Sequence, residues 1–152
     1  NSEVRDSHLL LFAGKDWGAY RHLTRQASEL GLAKRVRFLG FVSDEDLPVV
    51  TINAVAVTMV GLCEGFGLPA AEALACGTVV INSTTGALPE VVGELGIPCN
   101  PESPSSIAGA LERAAIDEEH QSRVRSHGPR WAGRYRWRST ADELAALCRE
   151  AA

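Results

Sequence analysis

Short apolar runs alternate with stretches of helical periodicity along most of this chain. Each run is only a few residues long and largely apolar, which indicates a strand buried on both faces. Five runs fit this pattern, at residues 9–13, 36–39, 54–60, 79–82 and around Ile97. Alternating strands and helices are typical of βαβ units, so we predict an α/β fold with a parallel sheet and helices on both faces.

The stretches between these runs carry helix start and stop signals. Gly128-Pro129 is expected to end a polar helix that begins near Glu118, because proline lacks the N–H that a helix interior needs. Thr140 and Glu143 have the spacing of a capping box, which predicts that the last helix begins there. Further helices are expected at 20–30, 44–51, 69–76, 89–92 and from Pro104 onwards.

Composition narrows the class of protein. The chain has 152 residues, enough for one domain with its own core, and its net charge of −4 argues against wholesale nucleic-acid binding. No apolar run is long enough to suggest a membrane helix, and the first residues show neither a signal peptide nor an initiator Met, so we expect a piece of a longer protein. The cysteines lack metal-site spacing and are interpreted as buried thiols in a reducing compartment, which predicts a cytoplasmic location: Cys63, Cys76, Cys99 and Cys148.

The Gly-rich turn at residues 64–68 is the most informative candidate site. It should follow the third strand and precede a helix, and ligands of open parallel sheets bind at that end of the strands. Glycines allow a ligand close to the backbone, and the free N–H groups of the first helical turn favour a phosphate. Many α/β proteins have a glycine before a helix, so the turn alone is a weak signal.

Two carboxylates sharpen the prediction. Glu64 opens the turn, and Glu72 lies eight residues later in the expected helix. A carboxylate accepts hydrogen bonds from vicinal hydroxyls, so one ligand could place its phosphates at the helix start and its sugar hydroxyls against both acids. The alternative is that Glu64 is a surface turn residue and Glu72 lies on a solvated helix face.

Three segments together resemble a known family. Residues 36–47, 64–77 and 86–93 closely resemble the C-terminal domain of family 4 retaining glycosyltransferases, and residues 135–141 look like the start of that family's last helix. Glu64 and Glu72 match the family's E-x7-E signature. The resemblance implies the GT-B architecture, with this chain as a single Rossmann-like, nucleotide-sugar-binding domain over residues 1–152.

The resemblance also implies roles for individual residues. Glu64 would be the catalytic glutamate that contacts the transferred sugar, and Glu72 would bind the ribose hydroxyls. The donor sugar and diphosphate would meet the turn, at Gly65, Phe66, Gly67 and Leu68. The base pocket would comprise Phe41, Val42 and Leu47. No cofactor and no metal is expected, because cations and the helix dipole stabilise the leaving nucleoside diphosphate in this family.

Parts of the family pattern are not found. The family's donor half normally begins with a strand followed by an Arg and a Lys for the diphosphate, whereas residues 9–14 align with its second strand. The expected partners are therefore a nucleotide-sugar donor and a missing N-terminal acceptor domain of the same parent, with no nucleic acid. The parent is expected to be a hexosyltransferase-like enzyme and the isolated chain inactive. Alternatives are a non-catalytic nucleotide-binding module and a GT-B sugar-nucleotide 2-epimerase.

An Arg-rich segment lies near the C-terminal end. Residues 121–138 contain six Arg and no Asp or Glu. They could form a surface for an anionic membrane or a phosphate-bearing acceptor. We prefer a solvated helix followed by an aromatic anchor for the last helix, and peripheral membrane contact has no support in the sequence. The histidines lack ligand spacing and are expected at the surface: His8, His22, His120 and His127.

Overall fold

The computed structural model describes residues 2–151, which divide into two compact units, one reaching Val49 and the other starting at Val50. The first unit pairs two parallel strands, with Leu10 opposite Val36 and Phe12 opposite Phe38. The rings of Phe12 and Phe38 stack with centroids 5.1 Å apart. The elements of this part are α1 (Ser2–Ser7), β1 (Leu10–Ala13), α2 (Tyr20–Glu29), β2 (Val36–Gly40) and α3 (Leu47–Ile52), which contains the boundary.

The second unit is built on a parallel sheet in the order β3-β4-β5. Ala56 lies opposite Val79, and Val80 lies opposite Gly96. Helices and a 3-10 turn alternate with these strands. The elements are β3 (Ala56–Met59), α4 (Leu68–Ala75), β4 (Val79–Ser83), α5 (Leu88–Val92), the 3-10 turn Gly93–Leu95, β5 (Gly96–Cys99), α6 (Pro104–Ile116), α7 (Glu118–Ala132) and α8 (Trp137–Glu150).

The core of the second unit lies around its central strand. All five residues of β4 are buried, so both faces of this strand are covered. The side chains that pack there are aliphatic and come from strands and helices alike, the largest being Leu74, Ile81, Leu88, Ile97, Val80, Val92 and Val124. The α/β class, the parallel pairing and the five strand positions are therefore confirmed, with the strands hydrogen-bonded as two separate sheets.

Strand β1 is less buried than we predicted. Leu10 and Leu11 keep 47% and 43% of their surface exposed. Within the described residues β1 pairs with β2 alone, which leaves one of its edges without a neighbouring strand. The prediction of a strand buried on both faces was right for β4 and wrong for β1 and for β2, in which Arg37 and Leu39 are exposed.

The predicted break at Gly128-Pro129 was also wrong, because α7 continues to Ala132. A Cβ placed on Gly128 would lie 2.6 Å from the carbonyl oxygen of Leu74, so this glycine lets α7 pack tightly on α4. Pro129 costs one backbone hydrogen bond inside the helix. Tertiary packing offsets that loss, since the buried stripe of α7 runs through the proline turn: His120, Val124, Gly128 and Ala132.

Two helix starts also differ from the prediction. The last helix, α8, begins at Trp137, and Thr140 lies inside it with its hydroxyl donating to the carbonyl of Arg136 at 3.4 Å. Thr140 and Glu143 therefore form no capping box. Helix α3 begins at Leu47, after a turn, because Pro48 has no N–H with which to bond a helix begun at residue 44.

None of the helices in the described residues has the length and apolar character that crossing a bilayer requires.

Candidate functional site at the start of helix α4

Helix α4 begins with a left-handed glycine and unpaired backbone donors. Gly67 is the N-cap residue, with φ of 91°, and its carbonyl accepts from the N–H groups of Ala70 and Ala71 at 2.9 and 3.3 Å. Among residues 2–151, none accepts a hydrogen bond from the backbone N–H groups of residues 65–68. Four backbone donors at a helix start are therefore unpaired, three of them in exposed residues and the fourth in the buried Gly67, and the helix dipole favours an anionic ligand there.

The turn before α4 is fixed by the turn that precedes α5. The hydroxyl of Thr85 donates to the carbonyl of Leu62 at 2.9 Å, and the N–H of Ala87 donates to the carbonyl of Glu64 at 3.1 Å. Gly86 has φ of 67°, and a Cβ there would lie 2.8 Å from the Glu64 carbonyl oxygen. The two turns thus pack backbone on backbone, and only glycine fits at position 86 without a shift.

Both signature carboxylates are open to solvent or ligand. Glu64 is half-buried, whereas Glu72 is exposed on the same face of α4 as Leu68 and Pro69. Glu72 lies four residues after Leu68, about 6 Å along the helix axis. Neither carboxylate forms an ion pair or accepts a hydrogen bond within the described part of the chain. An exposed acceptor near free N–H donors suits a ligand with both hydroxyls and an anionic group.

Tyr135 contacts the turn and was not predicted as part of the site. Its ring stands at 88° to that of Phe66, with centroids 5.1 Å apart, and its hydroxyl donates to the carbonyl of Val91 at 3.2 Å. The indole N–H of Trp131 donates to the same carbonyl at 2.8 Å. Tyr135, in the segment between α7 and α8, therefore packs against the ring of Phe66. The aromatic residues of this segment could have indicated a contact with the site, whereas from the sequence we interpret them as an anchor for the last helix.

The three residues predicted for the base pocket lie in the first unit. Phe41 and Val42 follow directly on β2, and Leu47 is the first residue of α3. Phe41 is 70% exposed, and the ammonium of Lys15 lies 6.0 Å from its ring centroid. The carboxyl ends of β1 and β2 meet here, since the N–H of Gly14 donates to the carbonyl of Gly40 at 2.8 Å. An exposed aromatic at this edge can stack on a planar ligand group.

His120 corrects our placement of the histidines at the surface, since only 4% of its surface is exposed. Its Nδ1 lies 3.0 Å from the guanidinium of Arg123, and its Nε2 lies 3.1 Å from the carbonyl of Leu95. A guanidinium can only donate, so Nδ1 accepts and Nε2 carries the proton. Burial, followed by repulsion from Arg123, lowers the pKa of His120, which keeps the ring neutral.

The cysteines are also more varied than predicted. Cys99 is buried, whereas Cys63 and Cys148 are exposed and Cys76 lies between these extremes. Burial raises the pKa of the Cys99 thiol, and burial together with the nearby Glu72 charge raises that of Cys76. Among residues 2–151, no three His, Cys, Asp or Glu side chains come together as a metal ion would require.

The chain is similar in sequence to known proteins. A family model described as glycosyl transferases group 1 matches residues 2–131. The D-inositol 3-phosphate glycosyltransferase of Corynebacterium jeikeium is 36% identical over 126 residues, which are 82% of this chain and 30% of that protein. The chain therefore spans less than a third of the length of this relative.

Solved structures have the same fold. The sucrose-phosphate synthase of Thermosynechococcus elongatus superposes with a TM-score of 0.84 at 30% identity, covering 93% of this chain and 38% of that one. The Anabaena protein HepE, solved in complex with UDP, superposes with a TM-score of 0.82 at 23% identity, covering 95% of this chain and 41% of that one. At that identity the HepE match shows the fold alone.

Proposed function

Because the chain belongs to the group 1 glycosyl transferases, which have the GT-B fold, we propose that it is the donor-binding part of a retaining glycosyltransferase. The full-length protein would move a sugar, of the hexose class, from a nucleoside-diphosphate sugar to an acceptor. The observation that carries this proposal is the set of unpaired backbone donors at residues 65–68, together with the unpaired carboxylates of Glu64 and Glu72. One nucleotide sugar supplies both an anion for the donors and hydroxyls for the acids.

Each part of the ligand has a proposed position. The diphosphate and the sugar lie against the backbone of residues 65–68, where the dipole of α4 offsets charge that develops on the leaving phosphate. Glu64 contacts the transferred sugar at the reacting centre. Glu72, one turn further along α4, binds the ribose hydroxyls. The base pocket is proposed to consist of Phe41, Val42 and Leu47 in the first unit, and no metal ion is proposed to take part.

The 152 residues alone are proposed to bind donor weakly and to transfer no sugar. The matched residues make up only 30% of the curated relative, so most of such an enzyme lies outside this chain. Transfer needs an acceptor hydroxyl held beside the reacting centre, and losing that positioning removes a large part of any rate enhancement. The acceptor-binding part is proposed to belong to the same parent chain, which would act in the cytoplasm.

A calorimetric titration of the chain with UDP, GDP and ADP tests donor binding. One nucleotide should bind more tightly than the others, and Glu72→Gln should weaken it by about tenfold, because a charged acceptor of two ribose hydroxyls is lost. Glu64→Gln should leave the affinity for the free nucleotide nearly unchanged, since its proposed partner is the sugar. Glu143→Gln, an exposed change on α8, is the matched control and should have no effect.

Two results of the titration would contradict the proposal. One is the absence of binding by all three nucleotides in a chain that melts cooperatively. The other is an equal loss of affinity in Glu72→Gln and Glu143→Gln, which would show that net charge alone matters. Sugar transfer by the 152-residue chain at rates typical of enzymes would contradict the proposed inactivity, but it would not contradict the proposed donor site.

A further inference from the structure

A basic cleft lies in the second unit, along α7 and the 3-10 turn. Its volume is about 590 Å³. Arg123, His127 and Arg130 recur at spacings of four and three residues, which places them on one face of α7. The cleft residues include none from the turn and helix at 64–75: they are Glu94, Leu95, Arg123, His127, Arg130, Trp131, Gly133 and Arg134.

Two of the three guanidiniums in the cleft are held in place by the protein. Arg134 stacks on the indole of Trp131, with its Cζ 3.5 Å from the ring centroid. That indole is itself fixed, since its N–H donates to the carbonyl of Val91 at 2.8 Å. Arg123 donates to the carbonyl of Glu94 at 3.1 Å and to His120. Fixed guanidiniums lose little conformational freedom on binding a ligand.

The cleft has an excess of positive charge that the protein does not neutralise. Its lining carries three guanidiniums against the single carboxylate of Glu94. In the described range 2–151, no carboxylate lies within 4.0 Å of Arg123, Arg130 or Arg134. Like charges on one helix face repel each other, so a bound anion would relieve this repulsion. The excess is local, because the whole chain carries a net charge of −4.

We propose that this cleft binds a phosphate group, at a site separate from the proposed donor site. Planar guanidinium forks match the tetrahedral oxygens of phosphate and can donate two hydrogen bonds each. The three arginines of the lining exceed what its single carboxylate needs, and the side chain of Arg130 is exposed. The phosphate can come from a free phosphorylated compound or from a lipid headgroup, since the contacting chemistry is the same.

The test measures pyrophosphate binding to the 152-residue chain at low salt. Arg130→Gln/Arg134→Gln should weaken binding by at least about tenfold, because two charge-assisted contacts are lost. Arg125→Gln/Arg138→Gln removes the same charge from the same segment outside the cleft, and should change the affinity by less than about twofold. Arg130→Gln alone, at an exposed position, should show part of the loss and serves if the double variant does not fold.

A second arm distinguishes the source of the phosphate. The same variants are floated with phosphatidylcholine vesicles that contain or lack phosphatidylglycerol. Binding of pyrophosphate that depends on Arg130 and Arg134 supports a free phosphorylated ligand, and vesicle binding with that dependence supports a lipid headgroup. If neither probe binds, or if both double variants lose binding equally, the proposal fails. The variants should bind UDP with the same affinity as the unmodified chain, so the proposal for the cleft and the proposal for the donor site can be refuted independently.

Discussion

The ring of Tyr135 stands edge-on to the ring of Phe66, with their centroids 5.1 Å apart and their planes at 88°. This contact joins the segment between α7 and α8 to the turn that opens α4. The hydroxyl of Tyr135 is held in turn by the carbonyl of Val91 at 3.2 Å. A residue far along the chain therefore fixes the turn proposed to hold the donor.

Removing the ring of Tyr135 should loosen that turn. Tyr135→Ala is expected to lower the free energy of unfolding by roughly 2 kcal/mol, through the lost ring contact and hydrogen bond, and to weaken nucleotide binding. Tyr135→Phe keeps the ring and should cost about 1 kcal/mol with affinity preserved. Urea denaturation and calorimetry measure both. Trp137→Ala, at a residue 82% exposed, is the aromatic control, and an equal effect there would refute the role of Tyr135.

Gly86→Ala should disturb the site through the backbone of Glu64. The added Cβ would lie 2.8 Å from the Glu64 carbonyl oxygen, and the residue would keep a φ of 67°. We expect a loss of about 2 kcal/mol in unfolding free energy together with weaker nucleotide binding. Gly18→Ala has a comparable φ of 93° but open space around its Cβ, so its loss of stability measures the backbone strain without a steric contact. Equal losses in the two variants would mean that contact with Glu64 is unimportant.

Gly128→Ala should separate α4 from α7. Its Cβ would meet the carbonyl oxygen of Leu74 at 2.6 Å, and the helices cannot move apart without opening the core. The expected destabilisation is about 2 kcal/mol by thermal or urea unfolding. Gly109→Ala in α6 is the matched helical control, with open space at its Cβ, and should stabilise by up to about 1 kcal/mol. A stabilising effect of Gly128→Ala would contradict the tight packing described here.

The buried, neutral His120 should make stability depend on pH. Its pKa is lowered in the folded chain, chiefly by burial, so the unfolded chain binds the proton more readily. Stability should therefore fall as the pH drops below about 6.5, the ordinary value for histidine, and level off above it. Urea denaturation between acid and neutral pH measures the slope. His120→Gln should flatten it, whereas His22→Gln, at an exposed position, should not.

Local pattern predicted the positions of the strands because each has a short, largely apolar run, although β4 alone among the described strands is buried at every residue. Elements that depend on distant contacts were missed. The helix through Pro129 is maintained by Gly128 against Leu74, and no local rule anticipates that contact. A signal was nevertheless present, since His120, Val124, Gly128 and Ala132 recur every four residues as one buried stripe.

The candidate site likewise contains residues that the sequence could predict and contacts that it could not. Glu64, Glu72 and the glycines between them could be found from spacing and from family resemblance, because they are close together along the chain. The contacts that Tyr135 and the turn at residues 84–87 make with residues 62–66 could not be predicted, since they depend on the fold bringing these segments together. The supporting residues of a site are thus harder to predict than the residues proposed to touch the ligand.

The most direct measurement of the central claim follows backbone amides by NMR as nucleotide is added to the chain. The N–H groups of residues 65–68 are free in the described structure and should accept the diphosphate. Their resonances at Gly65, Phe66, Gly67 and Leu68 should shift with one nucleotide among UDP, GDP and ADP, and Glu72→Gln should require more ligand for the same shift. Saturable shifts confined to other parts of the chain, with these four amides unmoved, would contradict the account.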